Sequence, residues 1–219
     1  MADLQVNAFS PQVRKVLLYC GIISSLLWLG GDILASIMYD GYSYTSQAVS
    51  ELSAIGAPTR SLLNPINITY SVLLFAFGLG VWTTSGRQRP LRFTGILLIT
   101  HAILGLASLV FPMTLRGGDT TISDTMHLIF YSVIPLVIVL IIWFGSSING
   151  KWFRFYSIGT ILMILLFGAW AGMAAPQVAA GLPTPWLGVK ERINIYGYML
   201  WVMVLARVLL RKEKFISTE

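Results

Sequence analysis

The sequence has few charged residues, a single cysteine and only two histidines. Charged residues make up 11% of the 219 residues, whereas soluble domains carry about a quarter, so the composition argues against a water-soluble fold. A lone cysteine, Cys20, excludes an intramolecular disulfide. The two histidines, His101 and His127, lie far apart in the sequence, and no HExxH motif is present. We therefore expect neither a metal site nor another cofactor.

Long apolar segments dominate what is present. Hydrophobic residues account for 56% of the chain, and the mean hydropathy is +0.75. A membrane-spanning helix needs about 20 mostly apolar residues, and these segments lack the alternation of a barrel strand. The sequence predicts one all-α membrane domain over residues 1–219, a six-helix bundle with spans at residues 16–38, 66–83, 91–111, 128–143, 155–173 and 195–210.

Basic residues are distributed unevenly between the two ends of the predicted spans. Eleven of the 15 Lys and Arg residues flank the two termini and the second-to-third and fourth-to-fifth connections. Cytoplasmic ends of membrane proteins are enriched in Lys and Arg, so this pattern predicts cytoplasmic N- and C-termini. The net charge of +6 reflects this topology, and no basic patch with interleaved aromatic residues indicates a nucleic-acid partner.

The three connections on the other, outer side are long, and long connections over a compact scaffold more often carry function. In the first, apolar residues recur with helical spacing between Ser46, a suitable N-cap, and Gly56, a suitable stop. This pattern predicts a short interfacial helix over residues 46–55. Ser50 and Glu51 would lie off its apolar face, toward water or a pocket.

The other two outer connections carry further ionisable residues. Asp124 and His127 are three residues apart at the start of the fourth span, which places their side chains within reach of each other. A carboxylate beside an imidazole favours the protonated ring or fixes its tautomer. Arg116 precedes them in the same connection, and Glu191 and Arg192 open the sixth span at the same outer level.

Two ionisable residues, Asp32 and His101, are predicted inside the bilayer. Such residues are costly in lipid and face other helices or a water-filled cavity. We expect Asp32 to form the floor of a polar pocket roofed by the outer connections.

The outer motifs resemble those of a known family. SELSAIGAPTR (50–60), FPMTLRG (111–117), DTMH (124–127) and GVKERI (188–193) are similar to motifs of the multi-pass membrane family known as domain of unknown function 998. The resemblance extends from Asp32 to about Trp201. It implies a compact helical bundle without an established activity, located as a multi-pass protein in a prokaryotic plasma membrane.

One interpretation is an outer pocket that binds, and hydrolyses or transfers, a lipid-like or small polar ligand, with membrane lipids as partners. In this interpretation His127 is a general base oriented by Asp124, and Glu51 is a second acid or base. Ser50 is a candidate nucleophile, although no GxSxG motif surrounds it. Residues that would bind the ligand are Asp32, Ser50, Arg116, Glu191 and Arg192.

Two other interpretations use the same residues. In a non-catalytic protein, Arg116 and Arg192 would each fork onto a carboxylate and fix the outer connections to the helices. In a proton-coupled transporter, Asp32 and His101 would form a relay beneath the outer vestibule, although the spans show no clear inverted repeat. Closed ion pairs without a cavity would favour the structural interpretation, whereas a cavity lined by His127 and Glu51 would favour ligand chemistry.

Overall fold

The computed structural model describes residues 9–118 and 120–216, with side chains as far as Glu213. Within these residues the fold is all-helical, apart from one isolated parallel bridge between Ile55 and Thr114. A short 3₁₀ helix, Val49–Ser53, lies between the first two long helices. The α-helices are α1 (Pro11–Met38), α2 (Arg60–Thr84), α3 (Arg89–Ser108), α4 (Ile122–Gly145), α5 (Gly150–Gly172), α6 (Ala175–Ala179) and α7 (Leu187–Ile216).

Six of the described helices are long and apolar enough to cross a membrane, as the sequence predicts. Several of them extend beyond the predicted apolar run. For example, α2 begins at Arg60 and α7 begins at Leu187, whereas the predicted runs begin at residues 66 and 195. These additional turns are more polar, and they carry side chains from the bilayer region up to the connections.

The helix α7 is the most deeply buried of the described spanning helices and packs between α1 and α5. In its apolar window 39% of the residues are buried, compared with 17% for α4. Trp201 is fully buried, and its indole Nε1 donates a 2.9 Å hydrogen bond to Ser157 Oγ of α5. A Cβ at Gly145 of α4 would lie 2.6 Å from the Trp201 ring, so glycine there permits the close approach of α4. Around Trp201, the core joins α7 to every other spanning helix.

The helix α4 is packed unevenly along its length. Its buried residues, Ile138, Ile141, Ile142 and Gly145, all lie in the half that leads to α5. In the first half, Leu128 and Ile129 are 50% and 48% exposed. The beginning of α4 therefore lies at the edge of the bundle, where its side chains face lipid or a gap.

One end of the bundle, the terminal face, carries the beginning of α1, the end of α7 and the connections at 85–88 and 146–149. Arg14 Nη2 of α1 lies 3.0 Å from the buried Glu213 Oε2 of α7. Lys212 Nζ donates a 2.7 Å hydrogen bond to the carbonyl oxygen of Ile148. These contacts join α1 to α7, and α7 to the α4–α5 connection. That this face is cytoplasmic stays a prediction.

The opposite end, the loop face, carries the connections at 39–59, 109–121 and 173–186. The first two connections meet in the isolated bridge, where Ile55 N donates a 2.9 Å hydrogen bond to the Met113 carbonyl oxygen. The last two touch at Gly117 and Gly181, both in the left-handed region at φ 77° and 68°. A Cβ at Gly181 would lie 3.2 Å from Gly117 Cα, so both positions favour glycine.

The helix predicted over residues 46–55 is wrong in type and length, because the structure has only the 3₁₀ helix Val49–Ser53. The Ser46 carbonyl oxygen accepts a 2.6 Å hydrogen bond from Thr184 Oγ1 of the third connection. Ala48 is extended, and Glu51 Oε1 accepts from the Ala48 amide. As a consequence Glu51 is buried at 1% exposure, whereas the sequence predicts a side chain directed to water or a pocket.

Candidate functional site

A forked ion pair between Asp32 of α1 and Arg192 of α7 lies beneath the loop face. Arg192 Nε donates to Asp32 Oδ2 at 2.8 Å, and Arg192 Nη2 donates to Asp32 Oδ1 at 3.0 Å. The two side chains are 1% and 3% exposed. The Tyr196 hydroxyl donates a short hydrogen bond to Asp32 Oδ2. Two parallel hydrogen bonds give such a pair a fixed geometry, so it joins the first and last spanning helices.

The other donors of Arg192 reach the first connection. Nη1 donates to the carbonyl oxygens of Tyr44 at 2.6 Å and Gly188 at 3.4 Å. Nη2 also lies within hydrogen-bond distance of Ser36 Oγ and the Tyr42 hydroxyl, and the guanidinium carbon lies 3.6 Å from the centroid of the Tyr44 ring. Because all five guanidinium N–H groups have an acceptor, Arg192 has no donor left for a ligand.

A second forked ion pair joins Glu51 of the 3₁₀ helix to Arg116 of the second connection. Arg116 Nε donates to Glu51 Oε2 at 2.8 Å, and Arg116 Nη2 donates to Oε1. Gln47 Nε2 and the Ala48 amide also donate to this carboxylate, at 3.0 and 2.8 Å. Burial alone would raise the pKa of Glu51, but these hydrogen bonds outweigh burial and lower its pKa below the usual value. Glu51 is therefore an anion held by four donors.

Arg116 joins all three connections of the loop face. Besides Glu51, its donors reach the Leu182 carbonyl oxygen at 3.1 Å and Thr184 Oγ1 at 3.2 Å. The hydrogen bond to Glu51 raises the pKa of Arg116. These contacts use four of the five guanidinium N–H groups. Arg116 thus fixes the three connections of the loop face to one another. Its ion pair is of the kind expected in the structural interpretation.

Glu191, at the start of α7, has a different environment. Its carboxylate accepts a 2.6 Å hydrogen bond from the Val49 amide and a 3.3 Å hydrogen bond from the Tyr131 hydroxyl. The residue is 7% exposed. No basic side chain lies within 4 Å of this carboxylate among the residues that the structure describes. Glu191 is therefore a buried carboxylate with two neutral donors and no ion-pair partner there.

Close packing at Gly188 sets the position of Glu191. A Cβ at Gly188 would collide with the carbonyl oxygens of Tyr44 and Gln47. With glycine in this position, the start of α7 lies directly against the first connection, and the Val189 amide donates to the Thr45 carbonyl oxygen at 3.3 Å. The approach brings the Val49 amide within reach of Glu191.

Asp124 and His127 share the first turns of α4, but no hydrogen bond is described between them. Asp124 Oδ2 accepts from the Thr121 amide and hydroxyl at 2.9 and 2.7 Å, which forms a helix cap. Its Oδ1 accepts from the Thr114 amide and hydroxyl at 2.7 and 3.1 Å. His127 Nδ1 instead lies 3.3 Å from the Phe111 carbonyl oxygen. A carbonyl oxygen only accepts, so Nδ1 carries the hydrogen and Nε2 is the basic nitrogen of His127.

A first cavity of about 110 Å³ lies beside these groups. Helices α5 and α6 contribute only apolar groups to its lining, among them Ala171, Gly172, Ala175 and Val178. The connections, α4 and α7 contribute polar groups. These are Ser50, Arg116, Asp124, His127, Tyr131 and Glu191. The first cavity therefore has an amphipathic lining, with enough space for several water molecules or part of a ligand.

The first cavity reaches two different surfaces of the protein. Gly117, Gly118 and Thr120 line it and are exposed on the loop face. Leu128 of α4 also lines it and is 50% exposed. Leu128 lies six residues into α4, about 9 Å along the helix axis, and this part of α4 is at the edge of the bundle. The cavity is thus lined both at the level of the connections and along the lateral, lipid-facing side.

A second cavity of about 200 Å³ lies between α1, α2, α3 and the second connection. Its lining includes side chains that the sequence analysis did not single out, namely Trp28, Ser53, Asn64, Asn67, Tyr70, Ser71 and Ser108. Asn67, inside a spanning helix, is the signal that could have indicated a polar cavity at this position. His127 and Met113 line both cavities. These two side chains therefore form the boundary between the amphipathic first cavity and the more hydrophilic second one.

The structure brings together part of the predicted set. The predicted residues on the first cavity are Ser50, Arg116, Asp124, His127 and Glu191. Asp32, expected as the floor of the pocket, lines neither cavity, and the same holds for Glu51 and Arg192. These three are enclosed in the two forked ion pairs instead, since a buried charge in lipid is bound to an opposite charge.

His101, the other member of the transport relay, hydrogen-bonds through Nδ1 to the Tyr198 hydroxyl at 3.0 Å. Among the described residues no hydrogen bond joins it to Asp32. No group of three or more His, Cys, Asp or Glu side chains within 9–118 and 120–216 is arranged to hold a metal ion.

Four tyrosines that the sequence pattern did not indicate contact the charged side chains of the site. They are Tyr42, Tyr44, Tyr131 and Tyr196. Tyr131 could have been found from its spacing, because it follows His127 by four residues on the same face of α4. The tyrosines of the first connection gave no comparable signal, since their contacts are made with α7.

Comparisons with known proteins identify the family of the chain but no function. No curated protein and no solved structure matches the chain. The model of one family, described as protein of unknown function (DUF998), matches residues 22–208. This range contains α2 to α6 completely, most of α1 and α7, and both cavities. The chain therefore belongs to the DUF998 family of multi-pass membrane proteins of unknown function.

Proposed function

We propose that this protein binds a lipid-like amphiphile in the first cavity. The polar head of the ligand faces Ser50, His127 and Glu191, and its apolar part lies against α5 and α6. The observation that carries the proposal is the amphipathic lining of a cavity whose border includes Leu128, half exposed on the lateral side. An amphiphile in the outer part of a bilayer would place its head at the level of the connections and its chain along the lateral side.

The lining favours an amphiphile over a fully polar solute. A polar solute placed against Ala171, Ala175 and Val178 would lose hydration without gaining hydrogen bonds, which costs free energy. An alkyl chain in the same position gains about 25 cal/mol for each Å² of apolar surface removed from water. A purely apolar ligand would in turn leave the buried Glu191 carboxylate without further partners.

Binding can be tested with tritiated dodecanol and protein in lipid nanodiscs, with empty nanodiscs subtracted as background. Leu128→Trp would fill the lateral border of the cavity, and we expect it to weaken binding at least tenfold. Ile129→Trp is the matched control, because Ile129 is 48% exposed and does not line the cavity. Equal binding by both variants, or no binding by the wild type above background, would contradict the proposal.

The position of His127 supports a hydrolytic step on the bound amphiphile. Its Nδ1 is held by the Phe111 carbonyl oxygen, so Nε2 is the base, and the side chain borders both cavities. For an ester, Nε2 takes a proton from water as the water oxygen bonds to the carbonyl carbon. The bond from that carbon to the leaving oxygen then breaks, and the proton passes to the leaving oxygen, which yields an acid and an alcohol.

In this scheme the second cavity holds the water and the first holds the ester. Asp124 and Glu51 take no direct part in this step, because four donors occupy each carboxylate and Glu51 lines neither cavity. This assignment differs from the direct acid or base role that the sequence analysis gave to Glu51.

Hydrolysis can be measured with 4-methylumbelliferyl decanoate in the same nanodiscs. We expect His127→Gln to reduce the rate to the level of empty nanodiscs while dodecanol binding and the melting temperature stay near those of the wild type. Ser50→Ala should retain the rate, since water attacks directly. Hydrolysis by His127→Gln at the wild-type rate, or a wild-type rate no higher than background, would reject the hydrolytic step. Loss of activity in Ser50→Ala would replace attack by water with attack by the serine.

A further inference from the structure

The charges around the first cavity are not balanced. Two guanidinium groups, those of Arg116 and Arg192, lie among four carboxylates, those of Glu51, Asp32, Asp124 and Glu191, and each guanidinium is already paired, Arg116 with Glu51 and Arg192 with Asp32. His127 donates from Nδ1 to a carbonyl oxygen, which both a neutral and a protonated ring can do, and with either ring the carboxylates outnumber the positive charges. The described part of the site therefore has an excess of negative charge.

Arg116 is poorly placed to bind an anionic head group. Glu51 already neutralises it through two hydrogen bonds, and the Leu182 carbonyl oxygen and Thr184 Oγ1 take two further N–H groups. A phosphate or sulfate beside Arg116 would compete with these contacts and would also lie near Glu191. Both effects oppose binding of an anion.

Glu191 has the opposite properties. A carboxylate has about four acceptor positions, and the Val49 amide and the Tyr131 hydroxyl occupy two of them. Asp124, the other carboxylate on the first cavity, already has four donors. Glu191 is therefore the carboxylate that borders the cavity with acceptor capacity to spare and no basic partner among the described residues.

We infer that the amphiphile bound in the first cavity carries a positively charged amine head, and that Glu191 binds it. This inference rests on the proposed function and names its ligand class. The ammonium group of such a head donates to the free acceptor positions of Glu191 and supplies the missing counter-charge. The Tyr131 hydroxyl and the Val49 amide hold the carboxylate toward the site, and the alkyl chain lies against α5 and α6.

Three ligands with the same chain test this inference, namely dodecylammonium, dodecanol and dodecyl sulfate. Binding of each tritiated ligand to protein in nanodiscs is measured above binding to empty nanodiscs of the same lipid, which corrects for partition into the bilayer. We expect wild-type protein to bind dodecylammonium at least tenfold more tightly than dodecanol, and dodecyl sulfate most weakly. This comparison needs no variant.

Two variants locate the preference. Glu191→Gln keeps the shape of the side chain, and we expect it to lose most of the preference for the ammonium over dodecanol. Asp40→Asn is the control, since Asp40 is exposed and lines neither cavity, and it should keep the wild-type order. Melting temperatures of both variants separate loss of recognition from loss of folding.

The outcomes are distinguishable. Equal binding of ammonium and alcohol by the wild type, or a preference that persists in Glu191→Gln, would reject the amine head and leave amphiphile binding intact. Tightest binding of dodecyl sulfate would assign recognition to Arg116 instead. Absence of binding by all three ligands would reject the proposed function itself, and this inference with it.

Discussion

Asp32 of α1 and Arg192 of α7, separated by 160 residues in the sequence, form a forked ion pair that is almost completely buried. Loss of one partner leaves the other charge buried without its counter-charge, which costs about 3–5 kcal/mol in folded proteins. We expect Asp32→Asn and Arg192→Gln to lower the melting temperature strongly in detergent micelles.

The double variant Asp32→Asn/Arg192→Gln should be less destabilised than the sum of the single ones, because no charge is left unpaired. Arg207→Gln, on an exposed position of the same helix, is the control and should melt near the wild-type temperature. If Asp32→Asn melts together with this control, the ion pair does not hold α1 against α7.

The Glu51–Arg116 pair makes stability sensitive to acid. The pKa of Glu51 is lower in the folded protein than the usual value of about 4.3. The stabilisation is therefore complete above the unfolded-state pKa and is lost as the pH falls through the lower folded-state pKa. Melting temperatures are measured at pH 7, 5, 4 and 3. The difference in melting temperature between the wild type and Glu51→Gln should be largest at pH 5 and above, and it should decrease below about pH 4.

Arg116→Gln should show the same trend for a different reason. It leaves the buried Glu51 without its counter-charge at neutral pH, so protonation relieves the cost of burial. The decrease in its melting temperature relative to the wild type should be largest at pH 7 and should become smaller as the pH falls. A constant difference at every pH would show that the ion pair does not carry the acid sensitivity.

Gly188 is expected to be the least replaceable glycine of the loop face. An alanine Cβ would collide with two backbone oxygens of the first connection, and backbone atoms cannot move away as the end of a flexible side chain can. We expect Gly188→Ala to lower the melting temperature and to weaken dodecanol binding, because Glu191 moves with the start of α7.

Gly159→Ala provides the comparison for this substitution. Gly159 lies inside α5, and nothing lies within 4 Å of an added Cβ. Alanine favours a helix interior by up to about 1 kcal/mol over glycine, so this variant should melt at or above the wild-type temperature. A similar loss of stability in both variants would contradict the steric argument.

Chemical labelling can determine on which side of the membrane the loop face and the terminal face lie. In a Cys20→Ala background, single cysteines replace Thr120 on the loop face and Gln88 on the terminal face, both of them exposed. The distribution of Lys and Arg predicts that a membrane-impermeant maleimide labels the cysteine at position 120 in intact cells. The cysteine at position 88 should react only after the cells are permeabilised. The reverse pattern would invert the predicted topology.

The six spans could be predicted because a bilayer imposes length and apolarity on each segment independently of the others. The side-chain partners on the loop face could not be predicted in this way. Helical spacing correctly placed Asp124 and His127 on the same turns of α4, but Thr114 and Phe111 from the preceding connection supply their hydrogen bonds. A local pattern contains no information on such partners.

The structural interpretation anticipated that Arg116 and Arg192 would each fork onto a carboxylate, and both do so. Which carboxylate each one binds depends on contacts across many residues. The structure contains features of both the structural and the ligand-binding interpretation. The forked ion pairs fix the connections of the loop face, and a cavity lies beside them. Glu191 could not be distinguished from Glu51 in the sequence, because only the packing at Gly188 and Val49 separates their environments.

Pro135 lies inside α4 and has no amide hydrogen, so the carbonyl oxygen of Tyr131, four residues earlier, receives no helical hydrogen bond from it. Tyr131 lines the first cavity, and the buried residues of α4 begin only at Ile138. The wall formed by the first half of α4 can consequently bend outward at this point while the second half stays anchored. Bending of α4 at this point to admit a bulkier ligand would therefore break one backbone hydrogen bond fewer than bending elsewhere in the helix.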